Sequence, residues 1–158
     1  MSRFQQHRPL NRDGFEIAII CALPLEANAA LYAIDEVWHD SRHYYGKIAG
    51  DDDIYDFGRI GLYYVVTVIL SKIGLVESSS ASRSLKMSFG SVKLALLVGI
   101  CGAVPFKKDK SEIVLGDVII GDSIVELDYG RQHPRNFKRK DALLDVYGRP
   151  SEEILGLL

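Results

Sequence analysis

No stretch of this chain is apolar for long enough to cross a membrane. Its longest apolar runs are strand-sized, against the roughly 20 residues that a spanning helix needs. The polar start, Met1 to Gly14, lacks the apolar core of a secretory signal. Cysteine is scarce: Cys21 and Cys101, both in apolar surroundings, are the 2 in the chain. Two cysteines cannot build a disulfide framework, no metal-ligand spacing is present, and the pair fits a reducing, cytoplasmic setting. An excess of one charge is also lacking. With 19 basic and 21 acidic residues the net charge is −2, so no global field favours nucleic acid or an anionic membrane. There is no internal repeat and no low-complexity segment.

What remains is 158 residues of ordinary globular composition, enough for one domain with a real core. Residues 1–14 read as a flexible leader and residues 15–158 as the domain. Two apolar runs dominate it. Ile17 to Glu26 ends in Cys21-Ala22-Leu23-Pro24-Leu25-Glu26, and Leu94 to Val104 ends in Gly99-Ile100-Cys101-Gly102-Ala103-Val104. Each reads as a buried strand that delivers a loop to a sheet edge, where ligands of open α/β sheets bind. The first loop carries one carboxylate, Glu26. The second carries glycines that admit close backbone approach.

Between and beyond these runs the pattern alternates. Strands are expected at Phe15–Ala22, Tyr44–Ala49, Ile54–Ile60, Tyr63–Leu70 and Val92–Val98, the last fully buried, with another beginning at Gly116–Ile120. Pro24 stands near a helix start, Leu25–Ile34 and Val76–Phe89 read as helices, and Ser151 can cap a further one. Asp51-Asp52-Asp53 reads as a hairpin tip. The basic stretch from Gly130 to Lys140 reads as an irregular solvated loop, although Tyr129 just before it and Phe137 within it are of the kind that stack on bases. His39 and His43 are four apart, but no third metal ligand accompanies them. The alternation implies an α/β fold with a substantially parallel sheet.

Four segments, in order, resemble the nucleoside phosphorylase and nucleosidase superfamily, most closely its fungal branch. They are Ile20-Cys21-Ala22-Leu23-Pro24-Leu25-Glu26, Leu97-Val98-Gly99-Ile100-Cys101-Gly102-Ala103-Val104-Pro105, Leu115-Gly116-Asp117-Val118-Ile119-Ile120, and Leu127 to Arg131 with Gly148-Arg149-Pro150. The resemblance implies an α/β three-layer sandwich around a mixed, largely parallel sheet, of phosphorylase/hydrolase-like type and truncated at its C-terminus. It also implies cleavage of the N-glycosidic bond of a purine nucleoside or nucleotide, a homo-oligomer, and no metal or organic cofactor. In the family, the part beyond this point supplies a ribose-binding glutamate and an acid that protonates the purine.

The resembling phosphorylases hold phosphate with arginines and a serine. Here those places are Glu26, Leu97 and Ile100. The resembling nucleosidases carry a glutamate where Glu26 stands. The resemblance therefore implies hydrolysis, with Glu26 activating water and Gly74, Gly99, Ile100, Cys101, Gly102 and Ala103 bordering the substrate. Phosphorolysis is one alternative, and a non-catalytic binding or oligomerisation module is another. Simpler readings stand beside these. Glu26 can be a solvated first-turn residue that favours the helix dipole. The glycines can serve tight packing, Ser71 and Lys72 can be plain loop, and Cys101 can be a small buried hydrophobe.

Overall fold

The computed structural model describes residues 8–39, 42–70, 74–106, 111–121 and 130–139. The chain divides into two compact units, residues 1–102 and 103–158.

The first unit is built on a five-stranded sheet of order β2-β3-β4-β1-β5. The strands are β1 (Ile17–Cys21), β2 (Glu36–Val37), β3 (Ile54–Ile60), β4 (Tyr63–Ile69) and β5 (Leu94–Val98). β1 runs parallel to both β4 and β5, whereas β2–β3 and β3–β4 are antiparallel. Gly61, at a φ of 57°, makes the reversal between β3 and β4, a backbone conformation that costs glycine least. The helices are α1 (Pro24–Tyr32), the single-turn α2 (Arg42–Tyr45) and α3 (Leu75–Ser88).

Period-two alternation along β1 divides the core between the two faces of the sheet. Ile19 and Cys21 pack with Ala27 and Ala30 of α1 and Val65 of β4. Ala18 faces the other way, among Val66, Val68, Phe57 and the α3 side chain Leu85. Helices thus cover both faces, which gives the three-layer α/β arrangement around a mixed sheet. The α3 side is strongly aromatic. The Phe15 ring lies 4.8 Å from Tyr45, 5.1 Å from Phe57 and 5.9 Å from Phe89, centroid to centroid. Arg8 and Pro9 lie on this cluster: the Arg8 guanidinium stands 5.3 Å over the Trp38 ring, and the Tyr45 hydroxyl donates to the Pro9 carbonyl at 3.1 Å.

Several expectations are corrected. Tyr44–Ala49 is not a strand; Tyr45 closes α2 and turns its ring into the aromatic core. β5 is not fully buried. Among the described residues it pairs with β1 alone, at the end of the strand order, where Leu97 is 78% exposed. Asp51-Asp52-Asp53 is no hairpin tip, because the element before it is α2 and not a strand, and Asp51 is buried at 4% exposure.

In the second unit, the described part of the basic stretch, residues 130–139, is not irregular. β6 (Gly130–His133) and β7 (Asn136–Arg139) form an antiparallel hairpin. Gly116–Ile120 does not form the expected strand. The Asp117 carboxylate accepts from the Val114 N–H at 3.0 Å, a local turn that competes with extended pairing. The expected helix from Ser151 lies outside the described residues. Among the described residues, no helix is long and apolar enough to cross a membrane.

Candidate functional site

β1 lies between two parallel neighbours, so three strand ends align. Cys21 is in register with Ile69 of β4 and with Val98 of β5. The Leu70 N–H extends the pairing, donating to the Cys21 carbonyl at 2.9 Å. The segments that follow these strands therefore leave the same edge of the sheet, at the carboxyl ends where open α/β sheets hold ligands.

Glu26 joins two of those segments. Pro24 opens α1 at a position where the missing N–H costs nothing, and Glu26 follows in the first turn. From there its side chain folds back. Oε2 accepts the N–H of Ala22 at 3.0 Å and of Leu23 at 2.9 Å, while Oε1 accepts the Ile100 N–H at 2.9 Å. This is half of a capping box, because Leu23 has no side-chain acceptor to return the bond. The residue is 7% exposed, so the reading of a solvated first-turn glutamate is set aside. Its carboxyl is held below the usual carboxylate range, chiefly by the Ile100 N–H, against the opposing effect of burial and with help from the Leu23 and Ala22 N–H groups. The site therefore holds a fixed anion. The buried Cys21 thiol is pushed up by desolvation first and by Glu26 second.

Gly99 makes this approach possible. A Cβ built there would fall 2.9 Å from Glu26 Oε1 and 3.2 Å from the carboxyl carbon. Ile100 contributes its N–H, while its side chain is 73% exposed. Gly102 has open space where a Cβ would stand. Cys101 is exposed, which corrects the reading of it as a buried hydrophobe. Gly74 precedes α3 at a φ of 153°, and its carbonyl accepts the Ser78 N–H at 3.0 Å and the Ser78 hydroxyl at 2.7 Å. Ala103 begins the second unit. Ser71 and Lys72 lie outside the described residues. The structure thus brings together Glu26, Gly99 and Ile100. It adds two groups that sequence reading missed, the N–H donors of Ala22 and Leu23. No side-chain identity could have signalled them, because the donors are backbone.

A second polar cluster lies elsewhere in the first unit. Asp51 Oδ2 accepts the Tyr55 hydroxyl at 2.9 Å and the Ser88 hydroxyl at 2.5 Å, and Oδ1 accepts the Asp53 N–H at 3.0 Å. Two surface concavities are lined by neither Glu26 nor the Gly99–Gly102 segment. One borders Asp52, Asp53 and Glu77; the other lies along the β6–β7 hairpin. Among the described residues, no group of three or more His, Cys, Asp or Glu side chains is placed to hold a metal.

No family model matches the chain. A curated relative, a nucleotide-binding leucine-rich repeat (NLR)-like protein of Hyaloscypha variabilis, is 28% identical over 80% of this chain; the chain spans 13% of that protein's length. Among solved structures, the futalosine hydrolase of Helicobacter pylori is similar at 23% identity and a TM-score of 0.41, over 56% of this chain and 34% of that one. The 5′-methylthioadenosine/S-adenosyl homocysteine nucleosidase of the same organism is similar at 20% identity and a TM-score of 0.42, over 78% of this chain and 51% of that one.

Proposed function

We propose that this chain carries the water-activating part of a nucleoside N-glycosidase site, with Glu26 as general base. The reading rests first on the resemblance of the Glu26 turn and the Gly99 loop to the nucleosidases. The single observation that carries it structurally is the placing of the Glu26 carboxylate, shielded and anionic, against the Gly99–Ile100 peptide. In the reaction, a water oxygen bonds to the anomeric carbon and its proton passes to Glu26. The C–N bond breaks, and its electron pair leaves with the base, which a separate acid protonates. The transition state is oxocarbenium-like, so a fixed negative charge on that side favours it. General-base action of this kind contributes about 10²–10⁴-fold. A purine nucleoside or nucleotide is the proposed substrate, with Gly74 and Gly99 to Gly102 along its sugar.

The same geometry favours hydrolysis over phosphorolysis. Successive backbone N–H groups make a concavity that can hold an oxyanion. Here the N–H groups of Ala22, Leu23 and Ile100 already serve the chain's own carboxylate. A phosphate would have to displace that anion or lie beside it.

Purified protein incubated with a panel of purine nucleosides and nucleotides, with and without phosphate, tests the proposal. Free base is expected without phosphate, with loss of release in Glu26→Gln. Release that depends on phosphate, or full activity in Glu26→Gln, overturns it.

A further inference from the structure

We propose that the Gly99–Ile100 peptide is a removable clasp on Glu26, which sets how strong a base that carboxylate is. The proposal rests on the reading of Glu26 as the water-activating group and adds positioning roles for Gly99 and Ile100.

Three features point to it. First, the bond crosses from one strand end to another. Ile100 stands 74 residues from Glu26, and among the described residues its N–H is the one donor to Oε1, whereas Oε2 is served by the local turn of α1. Removing the Ile100 donor would leave the carboxylate anchored through Oε2 and open at Oε1, the oxygen that can then take a proton. Second, the contact depends on an absent side chain, because a Cβ at Gly99 would lie 2.9 Å from Oε1. Third, the segment that carries the donor is lightly held. Residues 99–102 belong to no helix or strand, the Ile100 side chain is 73% exposed, and nothing lies within 4 Å of a Cβ placed on Gly102. Among the described residues, opening it breaks the one hydrogen bond to Glu26 and unpacks little apolar surface.

Among the described residues, few other groups can set the titration. α1 presents the positive end of its dipole. β1 contributes the Cys21 thiol, and the 99–102 segment contributes the Cys101 thiol. Leu94–Val98 and Ile69–Leu70 carry no ionisable side chain. In the clasped state the carboxylate is a weak base with little exposure to water. When a sugar enters along the strand ends and lifts the segment, Oε1 gains a water in place of an N–H, and its basicity rises where the proton must be taken.

The test is the titration of Glu26 followed by NMR on protein labelled at the glutamate carboxyl carbons, together with hydrogen exchange of the Ile100 amide. Wild type, Gly99→Ala and Ile100→Pro are compared; the proline removes the donor without adding a Cβ at position 99. The expected result is a low midpoint and a protected Ile100 amide in wild type, and a raised midpoint in both variants. The acid limb of the kcat/KM profile for base release should move up in step with that midpoint, a change that mere loosening of structure would not produce. An unchanged midpoint in either folded variant, or a freely exchanging Ile100 amide in wild type, overturns the clasp. If wild type releases no base, the proposed activity falls while the titration still decides the clasp. If base is released and the midpoints coincide, the clasp alone falls.

Discussion

The Ser88 hydroxyl donates to Asp51 Oδ2 at 2.5 Å across 37 residues of sequence, tying the last turn of α3 to the loop before β3. The same Ser88 oxygen accepts the Ile48 N–H at 3.2 Å. Both side chains are buried, so neither group can exchange its partner for water. Ser88→Ala should therefore leave a buried carboxylate one donor short, at a cost of about 1–3 kcal/mol. A urea midpoint that matches wild type would contradict this.

Tyr55, the other hydroxyl on Asp51, is pushed well above the ordinary tyrosine range, mainly by burial and then by its bond to the Asp51 carboxylate. A pKa raised on folding stabilises the fold below the unfolded value of about 10 and withdraws that stability as pH rises beyond it. The urea midpoint should fall between about pH 9 and pH 11, and Tyr55→Phe should fall less steeply over the same range.

Glu26 behaves in the opposite sense. Its carboxyl is lowered on folding, first by the Ile100 N–H, so its contribution is present above the unfolded value of about 4.3 and is lost as pH falls through the folded value. Glu26→Gln should melt below wild type at neutral pH, and the two should converge in acid. Parallel melting curves across that range would show that the carboxylate does not tie the strand ends.

Gly58 of β3 has no room for a methyl group. A Cβ there would stand 2.5 Å from an Ile34 methyl carbon and 2.6 Å from the Glu36 carbonyl oxygen of the paired strand β2. The carbonyl belongs to the backbone and yields only if β2 shifts. Gly58→Ala should cost about 1–3 kcal/mol, read as a lowered denaturation midpoint.

The two thiols should separate cleanly. Cys101 is exposed, whereas Cys21 is buried and its thiolate is disfavoured by desolvation and by Glu26. A thiol reagent should modify one cysteine rapidly in the native protein and the second only on unfolding. Two equally fast thiols would contradict the burial of Cys21.

Much of the first unit was legible in the sequence because its signals are local. Pro24 ahead of an alanine-rich stretch marked α1, and Gly61-Leu62 between two β-branched and aromatic runs marked the β3–β4 turn. The misreadings came from context. Tyr44 to Ala49 has strand composition, yet the Tyr45 ring finds its partners in Phe15 and Phe57 from a helical turn. Leu94 to Val98 is as apolar as a central strand, but apolarity does not say how many neighbours a strand has. Asp51 resembled a turn residue because its donors, Tyr55 and Ser88, are brought to it by folding. At the candidate site, Glu26 and the Gly99 segment were found from their wording. The N–H groups that hold the carboxylate had no residue type to betray them.

The reversal at Gly61-Leu62 enters β4 at its amino end, whereas Cys21, Ile69 and Val98 mark the carboxyl ends of the parallel strands. The hairpin tip and the candidate site therefore occupy opposite rims of the sheet. A fluorophore or affinity handle grafted between Gly61 and Leu62 would report on the protein from the far rim, leaving the Glu26 neighbourhood undisturbed.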